Sequence, residues 1–172
     1  QLEELLNWAD VICAGCGLGT DIQAGMIIEH LLVYLGTHRK YCVMDADGLN
    51  LISGMEEERR NTYLKAAGSS LIFTPHVREF ARLLGKTTEE TKKNRIGLAQ
   101  EYGISRSGST ISACLALGMD RFDATALGVF IHGLCGDEAR EKLGAHSVLA
   151  GDLIEMASAV LQEIERRKVQ SK

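Results

Sequence analysis

The chain of 172 residues contains one proline, no long apolar run and no excess of basic residues. With a single proline there is no candidate linker, and the length suits one domain spanning residues 1–172. No apolar stretch approaches the roughly 18 residues that cross a bilayer, and the first residues show no signal-peptide pattern. We therefore expect no membrane association. The net charge of −4 gives no reason to expect a nucleic-acid partner.

Cysteines are few and odd in number, which argues against a disulfide framework. The five cysteines lie mostly within apolar runs, so we expect a reduced compartment and a cytoplasmic protein. Cys13 and Cys16 have the C-x-x-C spacing of redox motifs. The sequence has no second such pair, and the glycines around Cys16 explain the segment better as a turn.

Strand and helix patterns alternate in the first half of the chain. Three short apolar runs predict strands, at residues 11–14, 41–44 and 71–73. Helical patterns follow them, which predicts an α/β fold whose mostly parallel central sheet is flanked by helices. A capping-box pattern at Thr87 predicts a helix that continues to about Tyr102. Residues 110–168 show only helical patterns, so the C-terminal half is expected to be all-helical, with Gly128 and Gly133 allowing close packing.

A glycine-rich turn follows the first predicted strand and precedes a helix. Its glycines are Gly15, Gly17 and Gly19. Backbone N–H groups and the positive end of the helix would face a ligand there, which suits phosphate or another anion. The turn lacks the Lys-Ser/Thr ending of a P-loop and the full spacing of the dinucleotide fingerprint. The alternative is a tight turn that needs glycine for its positive φ angles.

Two carboxylates and an amide follow the second predicted strand, namely Asp45, Asp47 and Asn50. Side chains alternate in an extended chain, so only one of the two aspartates can point toward a ligand at the strand end. The other is expected to cap the following helix, and capping by both remains an alternative. Neither the spacing nor the composition of this segment predicts a metal site by itself.

His76 follows the third predicted strand, directly after Thr74 and Pro75. The proline fixes φ and removes a donor, which stiffens the backbone where the imidazole projects. We expect His76 to hydrogen-bond a polar ligand. Glu79, one helical turn further on, can reach back to His76 or to the start of the helix. The alternative is a purely structural histidine.

A second candidate for anion binding is the Ser/Gly-rich loop that contains Ser107, Gly108 and Ser109. The loop precedes the helix predicted from Thr110, so its backbone amides would lie at the helix N-terminus and face an anion bound there. A flexible surface loop is the alternative.

Together and in this order, the motifs resemble the ADP- or ATP-dependent NAD(P)H-hydrate dehydratases of the ribokinase-like fold. Residues 14–19 resemble the family's Gly-Pro-Gly-Leu-Gly turn, with Cys16 in place of the proline. Residues 43–50 resemble its Asp-Ala-Asp-x-Leu-Asn motif, and residues 74–84 resemble Thr-Pro-His-x-x-Glu-x-x-Arg-Leu. Residues 126–155 look like its C-terminal helices. The resemblance covers nearly the whole chain.

The resemblance implies a carbon–oxygen lyase that repairs nicotinamide nucleotides. Hydrated NADH or NADPH, NAD(P)HX, would be dehydrated to the dinucleotide with ADP or ATP as co-substrate and Mg²⁺ as the expected ion. By position, Gly17 and His76 would contact the hydrated substrate, and the segment from Asp45 to Asn50 would shape the site. Ser107 to Ser109 would begin the nucleotide-binding loop. The family also implies a homo-oligomer.

The sequence departs from the family in three places. The family's catalytic aspartate, in a Gly-Thr/Ser-Gly-Asp loop, has no counterpart, because Ser109 is followed directly by Thr110 and Ile111. A Lys-Gly strand pair with its nucleotide loop, expected near residues 102–105, is also missing, and so are the first strands before Gln1. We therefore expect a ribokinase-like domain that is incomplete at the N-terminus and around residues 102–110.

Three functions remain open at this point. The sequence is either the ordered part of a longer dehydratase or a truncated, inactive relative that at most binds nucleotide. The nearest enzymatic alternative is a ribokinase-like kinase of a small vitamin precursor. The segments at Asp45–Asp47 and Thr74–His76 favour the dehydratase. The choices of ADP or ATP and of NADHX or NADPHX stay undetermined by the sequence.

Overall fold

The computed structural model describes residues 1–94 and 108–170. The first half, up to residue 94, contains these elements: α1 (Leu2–Trp8), β1 (Val11–Ala14), α2 (Ile22–Thr37), β2 (Tyr41–Met44), α3 (Ala46–Gly54), α4 (Glu57–Ala67), β3 (Leu71–Phe73), α5 (Val77–Leu83) and α6 (Thr88–Lys93). The second half contains three helices: α7 (Gly108–Ala116), α8 (Arg121–Leu143) and α9 (Ala150–Gln170). All three predicted strands are confirmed, and so is the all-helical character of the second half within its described residues.

The strands form one parallel sheet in the order β1-β2-β3. Side chains alternate between its two faces. On one face, Ile12, Cys42 and Met44 belong to a core that includes residues of α2 and α3. On the other face, Val43 and Ile72 belong to a core with residues of α7 and α8. Helices therefore cover both faces, as expected for a parallel sheet, and the fold is α/β.

Local capping signals place the helix that follows the glycine-rich turn. The carboxylate of Asp21 accepts a hydrogen bond from the Ala24 amide at 2.8 Å, so α2 begins at Ile22. In the second half of the chain, Asp120 caps α8 by accepting hydrogen bonds from the amides of Phe122 and Asp123. An aspartate in this position satisfies amides that have no partner inside the helix.

Two boundaries differ from the sequence prediction. The capping box at Thr87 is confirmed, but α6 ends at Lys93. The rest of the span predicted to reach Tyr102 lies outside the described residues. The helix expected from Thr110 begins earlier, at Gly108, so its first residues come from the segment predicted as a loop.

The two glycines expected to allow close packing on α8 behave differently. A Cβ atom at Gly128 would lie 2.6 Å from Ile111 Cγ1 and 3.0 Å from the Ile111 nitrogen, so α7 and α8 approach closely there. At Gly133 no neighbouring heavy atom lies within 4 Å of such a Cβ. The prediction is confirmed at Gly128. It is wrong at Gly133, because that position faces away from the helix contact.

A separate apolar cluster joins the last two helices. Ile131 and Cys135 of α8 pack with Val160 of α9. Within residues 1–94 and 108–170, no helix is both long and apolar enough to cross a membrane.

Candidate functional site at the carboxyl edge of the sheet

The three predicted site segments begin where neighbouring parallel strands end. The amide of Asp45 donates to the carbonyl of Ala14 at 3.0 Å, which ties the end of β2 to the end of β1. The amide of Thr74 donates in the same way to Met44 at 3.2 Å. The segments after β1, β2 and β3 therefore leave one edge of the sheet side by side. In open α/β sheets this edge is where ligands bind.

The glycines of the turn have different environments, although all three have positive φ angles. Gly15, at φ 114°, is buried, and a Cβ atom there would lie 2.7 Å from the Gly48 nitrogen. Gly17 and Gly19, at φ 69° and 80°, are exposed, with no neighbouring heavy atom within 4 Å of an added Cβ. Gly15 is thus required for backbone contact with α3. The other two glycines leave open space beside the sheet edge.

The two aspartates after β2 have different partners, and the prediction that one of them caps the following helix is confirmed for Asp45. Asp45 is the N-cap of α3 and accepts from the Ala46 amide at 2.8 Å. Asp47 Oδ2 accepts from the Gly19 amide at 3.0 Å, across 28 residues of sequence. The side chain of Asp47 therefore fastens the glycine turn to the start of α3. It also places a negative charge at an amide that was a candidate for anion binding.

Asn50 lies on α3, one turn after Asp47. Its side-chain oxygen Oδ1 is buried and has no hydrogen-bond partner among the described residues. A buried acceptor without a partner costs about 1–3 kcal/mol. A donor supplied by a ligand or a water molecule would remove this cost, which is consistent with the predicted place of Asn50 in the site.

His76 and Glu79 form a capping box at the start of α5. The imidazole Nδ1 accepts from the amides of Arg78 and Glu79 at 3.1 and 3.2 Å, so His76 is the N-cap. Glu79 Oε2 accepts from the His76 amide at 2.8 Å, and Glu79 Oε1 lies 3.1 Å from His76 Nε2. The side chain of Glu79 is only 7% exposed, whereas that of His76 is 57% exposed. Glu79 thus reaches both targets that the sequence left open, the histidine and the helix start.

Cys16 lies in the glycine turn, where the sequence shows both a C-x-x-C spacing with Cys13 and a cysteine in place of the family's proline. Desolvation raises the pKa of its thiol, and the negative charges of Asp45, Asp47 and Glu79 raise it further, together with Cys13. The carboxylates that follow β2 and β3 therefore act electrostatically on the Cys16 thiol, which follows β1. A raised pKa disfavours the thiolate that a redox motif requires, in agreement with the weak redox reading of Cys13 and Cys16.

The predicted nucleotide-binding loop is not part of the contacts described above. Ser107 is outside the described residues, and Gly108 and Ser109 form the first turn of α7. Their role in binding nucleotide stays a prediction. In the described ranges, no group of three or more His, Cys, Asp or Glu side chains is arranged to hold a metal ion.

A parallel sheet with an open glycine turn and polar residues at the next two strand ends defines an α/β protein of the kind that binds small molecules at this edge. The family model described as NAD(P)H-hydrate dehydratase matches residues 1–108. The chain belongs to this family.

Curated relatives agree with the family match. The bifunctional NAD(P)H-hydrate repair enzyme of Moorella thermoacetica is 27% identical over 202 residues, covering 95% of this chain and 37% of the relative. The ADP-dependent (S)-NAD(P)H-hydrate dehydratase of Neisseria meningitidis is 30% identical over 183 residues, covering 81% of this chain and 58% of the relative. The bifunctional enzyme of Escherichia coli is 26% identical over 210 residues, covering the whole chain and 38% of the relative. The chain thus spans less than two thirds of the length of these relatives.

Proposed function

We propose that this chain is the dehydratase part of an enzyme that converts hydrated NADH or NADPH back to the dinucleotide, with ADP or ATP as co-substrate. The observation that carries the proposal is the meeting of the glycine turn, Asp47 and the His76–Glu79 pair at one sheet edge in a member of the dehydratase family. The relatives named for NAD(P)H-hydrate repair support the same substrate.

The charge of the site indicates which end of the substrate lies there. Asp45, Asp47 and Glu79 all act on the Cys16 thiol, so carboxylates surround the glycine turn. Negative charge disfavours a phosphate group and favours hydrogen-bond donors. The hydrated nicotinamide ring carries a hydroxyl and a carboxamide, both of which donate. We therefore place this ring beside Gly17 and Gly19, and the phosphates of the substrate further away.

The nucleotide half of the site is proposed to begin at Ser107, Gly108 and Ser109, with Mg²⁺ at the nucleotide. The alignment with the Escherichia coli enzyme extends over 210 residues for a chain of 172, so the relative carries segments that this chain lacks. That difference supports a single ribokinase-like domain over residues 1–172 that is shortened internally, as expected near residues 102–110. The aspartate of the family's Gly-Asp loop would belong to such a segment.

Self-association and a cytoplasmic location complete the proposal. Four large apolar side chains on one helix, α2, are exposed: Ile22 at 84%, Met26 at 65%, Val33 at 52% and Ile27 at 39%. Burying them against another copy would remove apolar surface from water. All five cysteines are free, which supports a reducing compartment.

The test is to incubate the purified chain with NADHX and either ADP or ATP and to follow the return of NADH absorbance, with binding measured by calorimetry. His76→Asn keeps a good N-cap residue but removes the imidazole. His132→Asn, at an exposed position of α8, is the matched control. We expect His76→Asn to weaken NADHX binding and His132→Asn to leave it unchanged.

The outcomes separate the alternatives that the sequence left open. Recovery of NADH supports the dehydratase, and binding of NADHX without recovery supports the truncated relative. Phosphorylation of a thiazole or pyridoxal alcohol by ATP would instead support the kinase. A chain that binds neither NADHX nor nucleotide contradicts the proposal.

A further inference from the structure

Two unfavourable features lie close together at the start of α3. Ala46, its first residue, has a φ angle of 46° and is the only non-glycine residue with a positive φ angle in residues 1–94 and 108–170. A residue with a Cβ atom is strained in this conformation. Four residues later, the side-chain oxygen Oδ1 of Asn50 is buried and has no hydrogen-bond partner among the described residues. Local costs of this kind are concentrated at functional sites.

Hydrogen bonds on both sides hold the strained residue in place. The Ala46 amide donates to Asp45 Oδ1 at 2.8 Å. Asp47, the next residue, accepts from the Gly19 amide at 3.0 Å, so α3 starts at the sheet edge, fastened to the glycine turn. Residues three apart are neighbours on the surface of a helix, and Asn50 therefore lies beside Asp47, close to the open space of the turn.

Helix α3 also lies between the other two site segments. It packs against α2, which follows the glycine turn, and against α5, which begins after the His76 cap. The backbone carbonyl of Asn50 accepts from the Ser53 hydroxyl at 3.0 Å, so the side-chain oxygen is the acceptor that the chain leaves unmatched. The carboxylates around the turn accept hydrogen bonds as well, so they supply no donor to it.

We propose that Asn50 is a specificity-determining residue whose Oδ1 accepts a hydrogen bond from an N–H or O–H group of the ligand. The identity of that ligand rests on the proposed function, in which the hydrated nicotinamide ring offers a carboxamide N–H and a hydroxyl O–H. A ligand without a donor at this point leaves the acceptor unpaired, so the site rejects it. The free chain carries the cost of the unpaired oxygen, and the bound ligand removes it.

Thermal unfolding of the complete chain without ligand tests whether the acceptor is unpaired. Asn50→Leu removes the polar group at similar side-chain size. Asn61→Leu, at an exposed position of α4, is the control for the higher helix propensity of leucine. We expect Asn50→Leu to melt about 4 °C above Asn61→Leu, because a buried group without a partner is removed. A melting temperature at or below that of Asn61→Leu would overturn the proposal, since the oxygen would then have a partner, such as a water molecule, in the free chain.

Calorimetric titration of the same variants with NADHX and with NADH tests the contact with the ligand. We expect Asn50→Leu, and Asn50→Ala, which leaves more room, to bind NADHX about tenfold more weakly, the equivalent of one ordinary hydrogen bond. Asn61→Leu should bind like the unchanged chain. NADH has the carboxamide but lacks the added hydroxyl. A similar loss for both ligands assigns the donor to the carboxamide, and a loss for NADHX alone assigns it to the hydroxyl. Unchanged binding of NADHX by both Asn50 variants would overturn the proposal.

Two further measurements keep the result decisive. In the ¹⁵N-labelled chain, the side-chain amide signals that disappear in Asn50→Leu belong to Asn50, and we expect NADHX to shift them more than those of Asn61. If the unchanged chain binds neither NADHX nor NADH, the proposed function fails, and a thiazole or pyridoxal alcohol, which also carries a hydroxyl donor, takes their place in the titration. Binding of none of these donor-bearing ligands, or binding that the Asn50 variants leave unchanged, would overturn the role of Asn50 itself.

Discussion

Replacing Gly15 by alanine is expected to be far more disruptive than the same replacement two residues later. At Gly15 the φ angle is 114°, and the new Cβ would collide with the Asp45 carbonyl oxygen and lie 2.7 Å from the Gly48 nitrogen and 3.0 Å from its Cα. Those neighbours are backbone atoms, which cannot rotate away as a side chain can. At Gly17 the φ angle is 69°, and the Cβ would point into open space.

The two costs follow from this geometry. A non-glycine residue in the left-handed region costs about 1–2 kcal/mol, and the reduced freedom of the unfolded chain offsets about 0.4–1 kcal/mol of that. Gly17→Ala should therefore lower the free energy of unfolding by about 1 kcal/mol. Gly15→Ala adds an overpacking cost of about 1–3 kcal/mol, giving a total of about 3 kcal/mol. For a domain of this size, that difference corresponds to a melting temperature lower by about 4–8 °C in Gly15→Ala than in Gly17→Ala.

Thermal and urea unfolding of the two variants, recorded beside the unchanged chain, would measure these values. We expect Gly15→Ala also to displace the start of α3, and with it Asp47, which accepts from the Gly19 amide. Equal free energies of unfolding for the two variants would refute the reasoning, because the close contact between the glycine turn and α3 would then carry no energetic weight.

Two further predictions concern α8 and the thiol beside the site. Gly128→Ala should lower the free energy of unfolding, because its Cβ would meet Ile111. Gly133→Ala should raise the free energy of unfolding by about 0.5–1 kcal/mol, because alanine has the higher helix propensity and its Cβ meets no neighbour. Urea unfolding of both variants tests this, and a change of the same sign in both would contradict it. The raised pKa of Cys16 should move the pH profile of its alkylation by iodoacetamide above that of an ordinary thiol, because less thiolate is present at each pH. Asp47→Asn should shift the profile back to lower pH, and a profile centred below the ordinary thiol range would disprove the account.

Features that depend on neighbours in the sequence could be predicted. The caps at Asp21, Thr87 and Asp120 each satisfy amides two or three residues further on, so the pattern contains both partners. The three strands were predictable for the same reason, since a short apolar run is visible without knowledge of the fold.

Features that depend on contacts between distant segments could not be predicted from the sequence. The sequence leaves open whether Asp45 and Asp47 both cap the helix or have different roles, and only the fold shows that Asp47 meets Gly19, 28 residues away. Gly133 was assigned to a helix contact because spacing alone does not say which side of α8 faces α7. The close approach of Gly15 to Gly48 is equally invisible, because it depends on how α3 leaves the sheet.

The capping role of His76 was missed for a different reason. Histidine is not among the residues that favour the N-cap position, so the sequence indicated a ligand-binding or a general structural role for His76 but no helix cap. A signal was present, however, because Glu79 stands three residues later, at the spacing of a capping box. The reach of Glu79 back to His76 was therefore predictable from this spacing, whereas the cap formed by the imidazole itself was not.

The order of the strands in the sheet also bears on the order in which the sheet can form while the chain is synthesised. Because β1, β2 and β3 are neighbours in the sheet in the same order as in the chain, each strand can join the sheet as soon as it is synthesised. The segments that follow the three strands are all present once Glu79 has been made, before any residue of α7. Until that helix arrives, Val43 and Ile72 remain exposed on the uncovered face of the sheet. We therefore expect the growing chain to form this sheet edge before the face that carries Val43 and Ile72 is covered, a stage that is vulnerable to aggregation.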